Sequence, residues 1–258
     1  MIRTLFIITG AALVLCLLSL GGAAALGSRD LARHDWTWVV TEDGDGDGDL
    51  RFERGPVSPD VTRTLAWTGG ETLSVDLPAN VTYVQGDKPG VVVTGPQSAV
   101  DRVRLSAGRL TLEGDDDQTR GFVRLGRSGF RAWTDTESLK ITVTAPAVQS
   151  FRVAGSGDLR VEGYDRPAIE LLIDGSGDMS VAGRADKLEL RINGSGDADL
   201  GELAVGDAVV DIQGSGDVSA GPTGSVEASI DGSGDLRLLR RPGRLERKVS
   251  GSGDVIGG

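Results

Sequence analysis

Six copies of the tetrapeptide Gly-Ser-Gly-Asp begin at Gly155, Gly175, Gly194, Gly214, Gly232 and Gly251, at intervals of 20, 19, 20, 18 and 19 residues. A fixed period of this size is the signature of stacked-repeat architecture. Within each interval the apolar residues alternate, as a strand with one buried face requires. After each Asp one strand points inward through Leu159 and Val161, and its counterparts are Met179 and Val181, Ala198 and Leu200, Val218 and Ala220, and Leu236 and Leu238. A second strand points inward through Ile169, Leu171 and Ile173, and in the next interval through Leu188, Leu190 and Ile192. It recurs as Ala208, Val210 and Ile212, then as Val226, Ala228 and Ile230. These residues fall six, four and two positions before the following Gly, so length variation is confined to the far turn (Tyr164–Pro167 against Pro222–Gly224).

One coil cannot bury its own apolar face, whereas stacked coils build a continuous core between two parallel sheets. The expected fold is therefore all-β: a single-stranded parallel β-helix, or solenoid, with coils of about 19 residues, preceded by an irregular β region and an N-terminal signal peptide. An antiparallel meander gives no reason for identical turns at one full period. Upstream, Leu73/Val75/Leu77, Val91/Val93, Val103/Leu105, Leu110/Leu112, Leu139/Ile141/Val143 and Phe151/Val153 read as further short strands, with turns at Gly69-Gly70, Asp87–Gly90 and Ala107-Gly108.

Composition agrees. The chain of 258 residues holds 39 Gly, too many for a helical bundle. Its net charge of -11 argues against general nucleic-acid binding. Arg3 precedes an uncharged apolar stretch from Thr4 to Ser28 that ends in Ala23-Ala24-Ala25, a small-residue cleavage site. Residues 1–25 read as a signal peptide, with an uncleaved anchor as the alternative. Residues 26–60 read as an acidic Gly/Asp-rich linker, and 61–258 as the β-helical domain, with regular coils over 155–258. The single cysteine, Cys16, lies inside the leader behind Leu15 rather than a small residue. Trp36 and Trp38 share one face of a short strand after the leader, placed to meet the membrane interface or to pack on the β domain.

With these residues in hand the chain resembles the bacterial head GIN domain proteins, labelled auto-transporter adhesins. The resemblance covers about 61–258 and lies in the β-rich opening at Glu71–Thr94, the Gly-Arg-Leu-Thr-Leu element at Gly108–Leu112 and the repeated Gly-Ser-Gly-Asp coils. It implies a right-handed β-helix in the cell envelope and brings no catalytic residues with it.

Three groups are candidates for chemistry. The turn aspartates, Asp158 to Asp254, should stack along one edge, where Asp178, Asp197 and Asp217 either ligate calcium or cap their own turns. The run Asp43-Gly44-Asp45-Gly46-Asp47-Gly48-Asp49 has the opening of a calcium loop, with Asp43, Asp45 and Asp47 as ligands. Arg54 stands where the bidentate Glu is needed, which favours a flexible acidic linker. Arg237, Arg240, Arg241, Arg244, Arg247 and Lys248 make the last coil basic, and Arg247 occupies an inward register position. Arg240, Arg241, Arg244 and Lys248 are the candidate patch for anionic glycans or lipid, and protection of the open end from edge-to-edge growth is the competing role. His34 is the only histidine, so zinc sites and Ser/His/Asp or Cys/His catalysis have almost nothing to work with. No cofactor is expected, calcium aside.

The sequence thus predicts an exported, non-catalytic binding module of adhesin type in the periplasm or at the cell surface, or anchored in the inner membrane and facing the periplasm. Its ligand would be an envelope or extracellular glycan or protein, with membrane contact only through an uncleaved N-terminal segment. The alternatives are a self-assembling structural β-helix and, third, a polysaccharide-active β-helix enzyme.

Overall fold

The computed structural model describes residues 36–42, 50–54, 58–114, 121–126, 129–134, 136 and 138–257. The leader with Cys16 and the cleavage site, His34 and the Asp43–Asp49 run lie outside them.

The chain forms two compact units. The first comprises Met1–Val61, Gly95–Asp101 and Gly114–Ser138. Its described core is a four-stranded antiparallel sheet in the order Gly129–Thr134, Gly121–Gly126, Trp36–Glu42, Leu50–Arg54. Trp36 pairs with Leu125 and Trp38 with Arg54. Within the span 26–60, expected as a linker, Trp36–Glu42 and Leu50–Arg54 are strands. The run Trp-Thr-Trp-Val-Val is aromatic and β-branched, and such residues suit a pleated ladder rather than free chain. Residues 95–101 and 114–138, expected within the β-helical domain, belong to this unit.

The second unit, Thr62–Thr94, Arg102–Glu113 and Leu139–Gly258, is the solenoid. It starts irregularly. Thr72–Asp76 and Asn80–Gln85 lie beneath the first coil and pair in parallel with Ser150–Gly155 and with Asp158–Glu162. Lys140–Ala145 then pairs parallel with Asn80–Gln85 and antiparallel with Gly90–Pro96. Val103–Ser106 and Arg109–Leu112 form a hairpin whose turn, Ala107 at φ 48° and Gly108 at φ 80°, has the paired positive φ of the tight hairpin turn. The strand Asn80–Gln85, with Val81 and Tyr83 buried, is one that the sequence pattern did not announce.

From Asp158 onward the strands stack in parallel with the expected registers. Leu171, Leu190, Val210, Ala228 and Arg247 are paired partners in one row, and Ile173, Ile192, Ile212, Ile230 and Val249 form another. All are buried except the members from the last strand, Arg247 and Val249. Each buried Leu, Ile or Val in such a row contributes about 1.5–3 kcal/mol relative to an exposed one.

The core has three sides rather than the two expected. The far turn is itself a short parallel ladder: Tyr164 pairs with Gly183, Arg166 with Ala185, and Ala185 with Val205. Register shifts at Val161/Tyr164, Ser180/Gly183 and Leu200/Val205 re-aim the chain there. Tyr164, Ala185, Leu203 and Val205 are buried as a result. Bulges of this kind bend a strand and take up one or two extra residues, which explains how the coil length varies without disturbing the inward rows. At the start of the stack Phe151 contacts Tyr83 and Tyr164 edge-on, with ring centroids 4.9 and 5.9 Å apart. Burial pushes both phenols up, Tyr164 to about 12. Their hydroxyls donate to Ala145 O (2.7 Å) and Ala168 O (2.5 Å).

Candidate functional site

The repeated turn builds a ladder, but not by capping itself. The amide of Asp178 donates to Asp158 Oδ1 at 3.1 Å. The same contact joins Asp197 to Asp178 (2.9 Å), and Asp217 to Asp197, Asp235 to Asp217 and Asp254 to Asp235 (2.8 Å each). Each carboxylate therefore caps the amide of the next coil. That corrects the own-turn reading, and the cause is the stack itself. Coils lie about 4.8 Å apart, and the equivalent amide one coil on is the donor that each Oδ1 meets. Asp254 alone turns back, accepting from Val255 N at 2.7 Å.

Asp178 and Asp197 also line a shallow groove of about 340 Å³ with Asn80, Thr82, Arg160 and Ser180. The structure brings Asp178, Asp197 and Asp217 onto one edge, with one carboxylate per coil. Among the described residues no three His, Cys, Asp or Glu side chains converge into a group able to hold a metal ion. Asp43, Asp45 and Asp47 lie outside the described residues.

A second cross-coil contact has no tetrapeptide to announce it. Asp207 Oδ1 accepts from both the amide and the hydroxyl of Ser225, each at 2.7 Å. These bonds, the amide first, hold the Asp207 carboxyl below the usual range. The sequence signal was thin: an Asp and a Ser in the variable part of consecutive coils.

The last coil differs from all others. Arg244–Gly251 pairs with Ser225–Gly232, and every one of its residues is exposed. Arg247 does stand in the inward row, over Ala228, as expected. It reaches across the end of the coil, with Nη1 3.4 Å from Val255 O and 3.8 Å from Asp254 Oδ1. Arg244 pairs with Glu246 at 3.3 Å. Arg240, Arg241 and Lys248 are exposed and have no carboxylate within 4.0 Å among the described residues. Arg240 runs past Gly221, close enough that a β-carbon there would touch it at 3.5 Å. Leu239, Leu245, Val249 and Ile256 in the same region are 39–49% exposed. Basic and apolar surface thus lie together around this exposed strand, which is chemistry suited to holding an anionic partner.

Comparison with known proteins follows the fold. No curated protein matches the chain. A crystal structure described as a "putative adhesin" from Bacteroides fragilis is 19% identical, covering 78% of this chain and 97% of that one with a TM-score of 0.59. A "putative adhesin" from Parabacteroides distasonis is 16% identical over 77% of this chain and 96% of its own, with a TM-score of 0.47. A "putative lipid binding protein" from the same species is 16% identical over 77% and 97%, with a TM-score of 0.43. The Bacteroides structure shares the fold. The family described as "Putative auto-transporter adhesin, head GIN domain" matches residues 71–242. That span is more than half of the chain and runs from the strand Thr72–Asp76 through the coils as far as the strand Leu236–Leu238, so the protein belongs to the head GIN domain family.

Proposed function

We propose that the protein is an exported, non-catalytic binding module of the cell envelope, adhesin-like, which holds an anionic ligand on its basic last coil. The observation that carries this reading is the last coil itself. In a chain of net charge -11, Arg240, Arg241 and Lys248 stand exposed and without an acidic partner among the described residues. Electrostatic complementarity of this kind steers an oppositely charged partner and selects its sign. Family membership supports the adhesin-like reading, and the apolar leader ending at Ala25 supports export.

Two measurements test it. The exported protein should begin at Leu26 on N-terminal sequencing, and an intact Met1 on a membrane-bound form would place it in the inner membrane instead. An array of neutral and anionic glycans probed with the mature chain should light up on anionic members. The signal should fall at least tenfold in the triple variant Arg240→Ala, Arg241→Ala, Lys248→Ala, and should weaken with salt. Binding confined to neutral glycans, or binding that ignores the triple change, removes the reading. The exposed apolar residues Leu245, Val249 and Ile256 are what favours the second reading, self-assembly. The cations around them oppose that reading when like ends meet.

A further inference from the structure

Two glycines on the outer face of the coils serve no turn. Each coil has one outward residue just after its strand's last inward residue: Glu162 after Val161, Ala182 after Val181, Gly201 after Leu200, Gly221 after Ala220 and Leu239 after Leu238. The side chain at this place shrinks to nothing in the two coils before Leu239. Neither Gly201 nor Gly221 has a positive φ, so no backbone conformation demands glycine there. What they leave is room. A β-carbon on Gly201 would meet Leu239 Cδ1 at 3.2 Å and Asp199 Oδ1 at 3.3 Å. On Gly221 its three nearest atoms would all belong to Arg240, Cδ and Cγ at 3.5 Å and Nε at 3.6 Å. Three consecutive stem atoms at one distance from a single point lie across the glycine, which is buried beneath them while Arg240 itself is exposed. Leu239 N donates to Ala220 O at 2.8 Å and fixes the backbone from which the stem departs.

Arg237 stands exposed on the same strand, over Ser219 in register. Neither guanidinium has a carboxylate within 4.0 Å among the described residues. Both lie on the outer face of the sheet, which a further coil on the stack would leave uncovered. Resting on the reading of the basic last coil as an anion-binding site, we propose that Gly221 is a positioning residue for it. Gly221 seats the Arg240 stem so that the guanidinium, with Arg237 beside it, is presented ready-set to a forked oxyanion, the carboxylate or sulfate of an acidic glycan. A guanidinium bonds two such oxygens at once, which the point charge of an ammonium does not reproduce. A stem that is already laid down loses less freedom on binding than a free one, a difference of about twofold to tenfold in affinity for one side chain. The site therefore discriminates by the geometry of the oxyanion as well as by its charge.

The test uses the folded protein and two fluorescein-labelled oligosaccharides, an oligogalacturonate for carboxylate and a sulfated dextran for sulfate, read by anisotropy. Arg240→Lys, which keeps the charge, should weaken the probe that binds by about tenfold. Gly221→Val, which leaves every cation in the chain, should weaken it by a similar factor, and Gly221→Ala by less, because its methyl meets the stem at ordinary contact distance. In an Arg240→Ala background Gly221→Val should change nothing further, a coupling that a general structural effect would not produce. Arg184→Lys, exposed on an earlier coil, is the control and should bind as wild type. Should Gly221→Val melt early, Gly221→Ala and Arg240→Lys decide. Full affinity of Arg240→Lys for both probes overturns the proposal, and so does a Gly221→Val loss that is undiminished in the Arg240→Ala background. If these variants bind fully while the triple-alanine variant loses the probes, the seat falls and the anionic-ligand reading stands. Wild-type protein that ignores both probes removes that reading and the seat with it.

Discussion

Gly177 offers the sharpest test of the stack, because the space around it can be measured. A β-carbon there would lie 2.0 Å from Gly157 O and 2.9 Å from Val153 Cγ1. A carbon–oxygen contact needs about 3.3 Å, so Gly177→Ala must push the turn roughly 1.3 Å away from its neighbour, against a coil spacing of about 4.8 Å. Three bonds cross that gap at 2.8–3.1 Å: Ser176 N and Gly177 N to Gly155 O, and Asp178 N to Asp158 Oδ1. The shift carries them beyond hydrogen-bond range. At about 0.5–1.5 kcal/mol each the loss centres on roughly 3 kcal/mol, which for a unit of this size lowers the melting temperature by about 6–12 °C. Two controls separate space from backbone. Gly155 has φ +86° but open space, so Gly155→Ala should cost about 1–2 kcal/mol through its left-handed backbone. Gly70 has open space and no such φ, so Gly70→Ala should stay within about 0.5 kcal/mol of wild type. Thermal and urea unfolding read all three. A Gly177→Ala protein as stable as Gly155→Ala would refute the idea that coil-to-coil contact, not turn conformation, requires the second glycine of the motif.

The aspartate ladder predicts that Asp178→Ala, which takes the acceptor from Asp197 N, costs about 1 kcal/mol, while Asp178→Asn keeps it and costs little. The triple change Asp178→Asn, Asp197→Asn, Asp217→Asn should hold or raise the melting temperature with no response to EDTA, and a calcium-dependent wild type would contradict this. Leu190→Asp places a charge in a buried row and should abolish folding, whereas Glu189→Leu on the exposed face should shift stability by no more than about 0.5 kcal/mol; circular dichroism distinguishes them. The chain has only two tyrosines, Tyr83 and Tyr164, so tyrosinate absorbance reads these buried phenols alone. Above pH of about 10 the unfolded chain loses phenolic protons that the folded chain keeps, so stability is full below that value and declines toward the Tyr164 value of about 12. A native-state midpoint near the ordinary phenol value would count against it.

What the sequence revealed tracks what is periodic. Leu190, Val210 and Ala228 could be placed in one row because their distance from the next Gly never changes. The third side of the core was hidden for the opposite reason. Tyr164, Ala185 and Leu203 sit where the coil length varies, and bulges shift which residue points inward. The target of the turn carboxylates was hidden too, because the nearest amides in sequence belong to their own turn while the amide they reach is 18–20 residues away. The basic last coil was legible as composition. The reach of Arg247 to Asp254 and Val255 required the structure.

The inward row that ends in Arg247 shows how the last described coil departs from the rest of the stack. From Leu171 and Leu190 through Val210 to Ala228 the side chains are aliphatic, and each is covered by its successor. Any aliphatic residue of suitable volume could follow, so those coils specify only more of themselves. Arg247 breaks that rule. Its guanidinium leaves the row for Asp254 Oδ1 at 3.8 Å and Val255 O at 3.4 Å, so the charge keeps solvent and a carboxylate partner in place of the apolar cover that the residues below it receive.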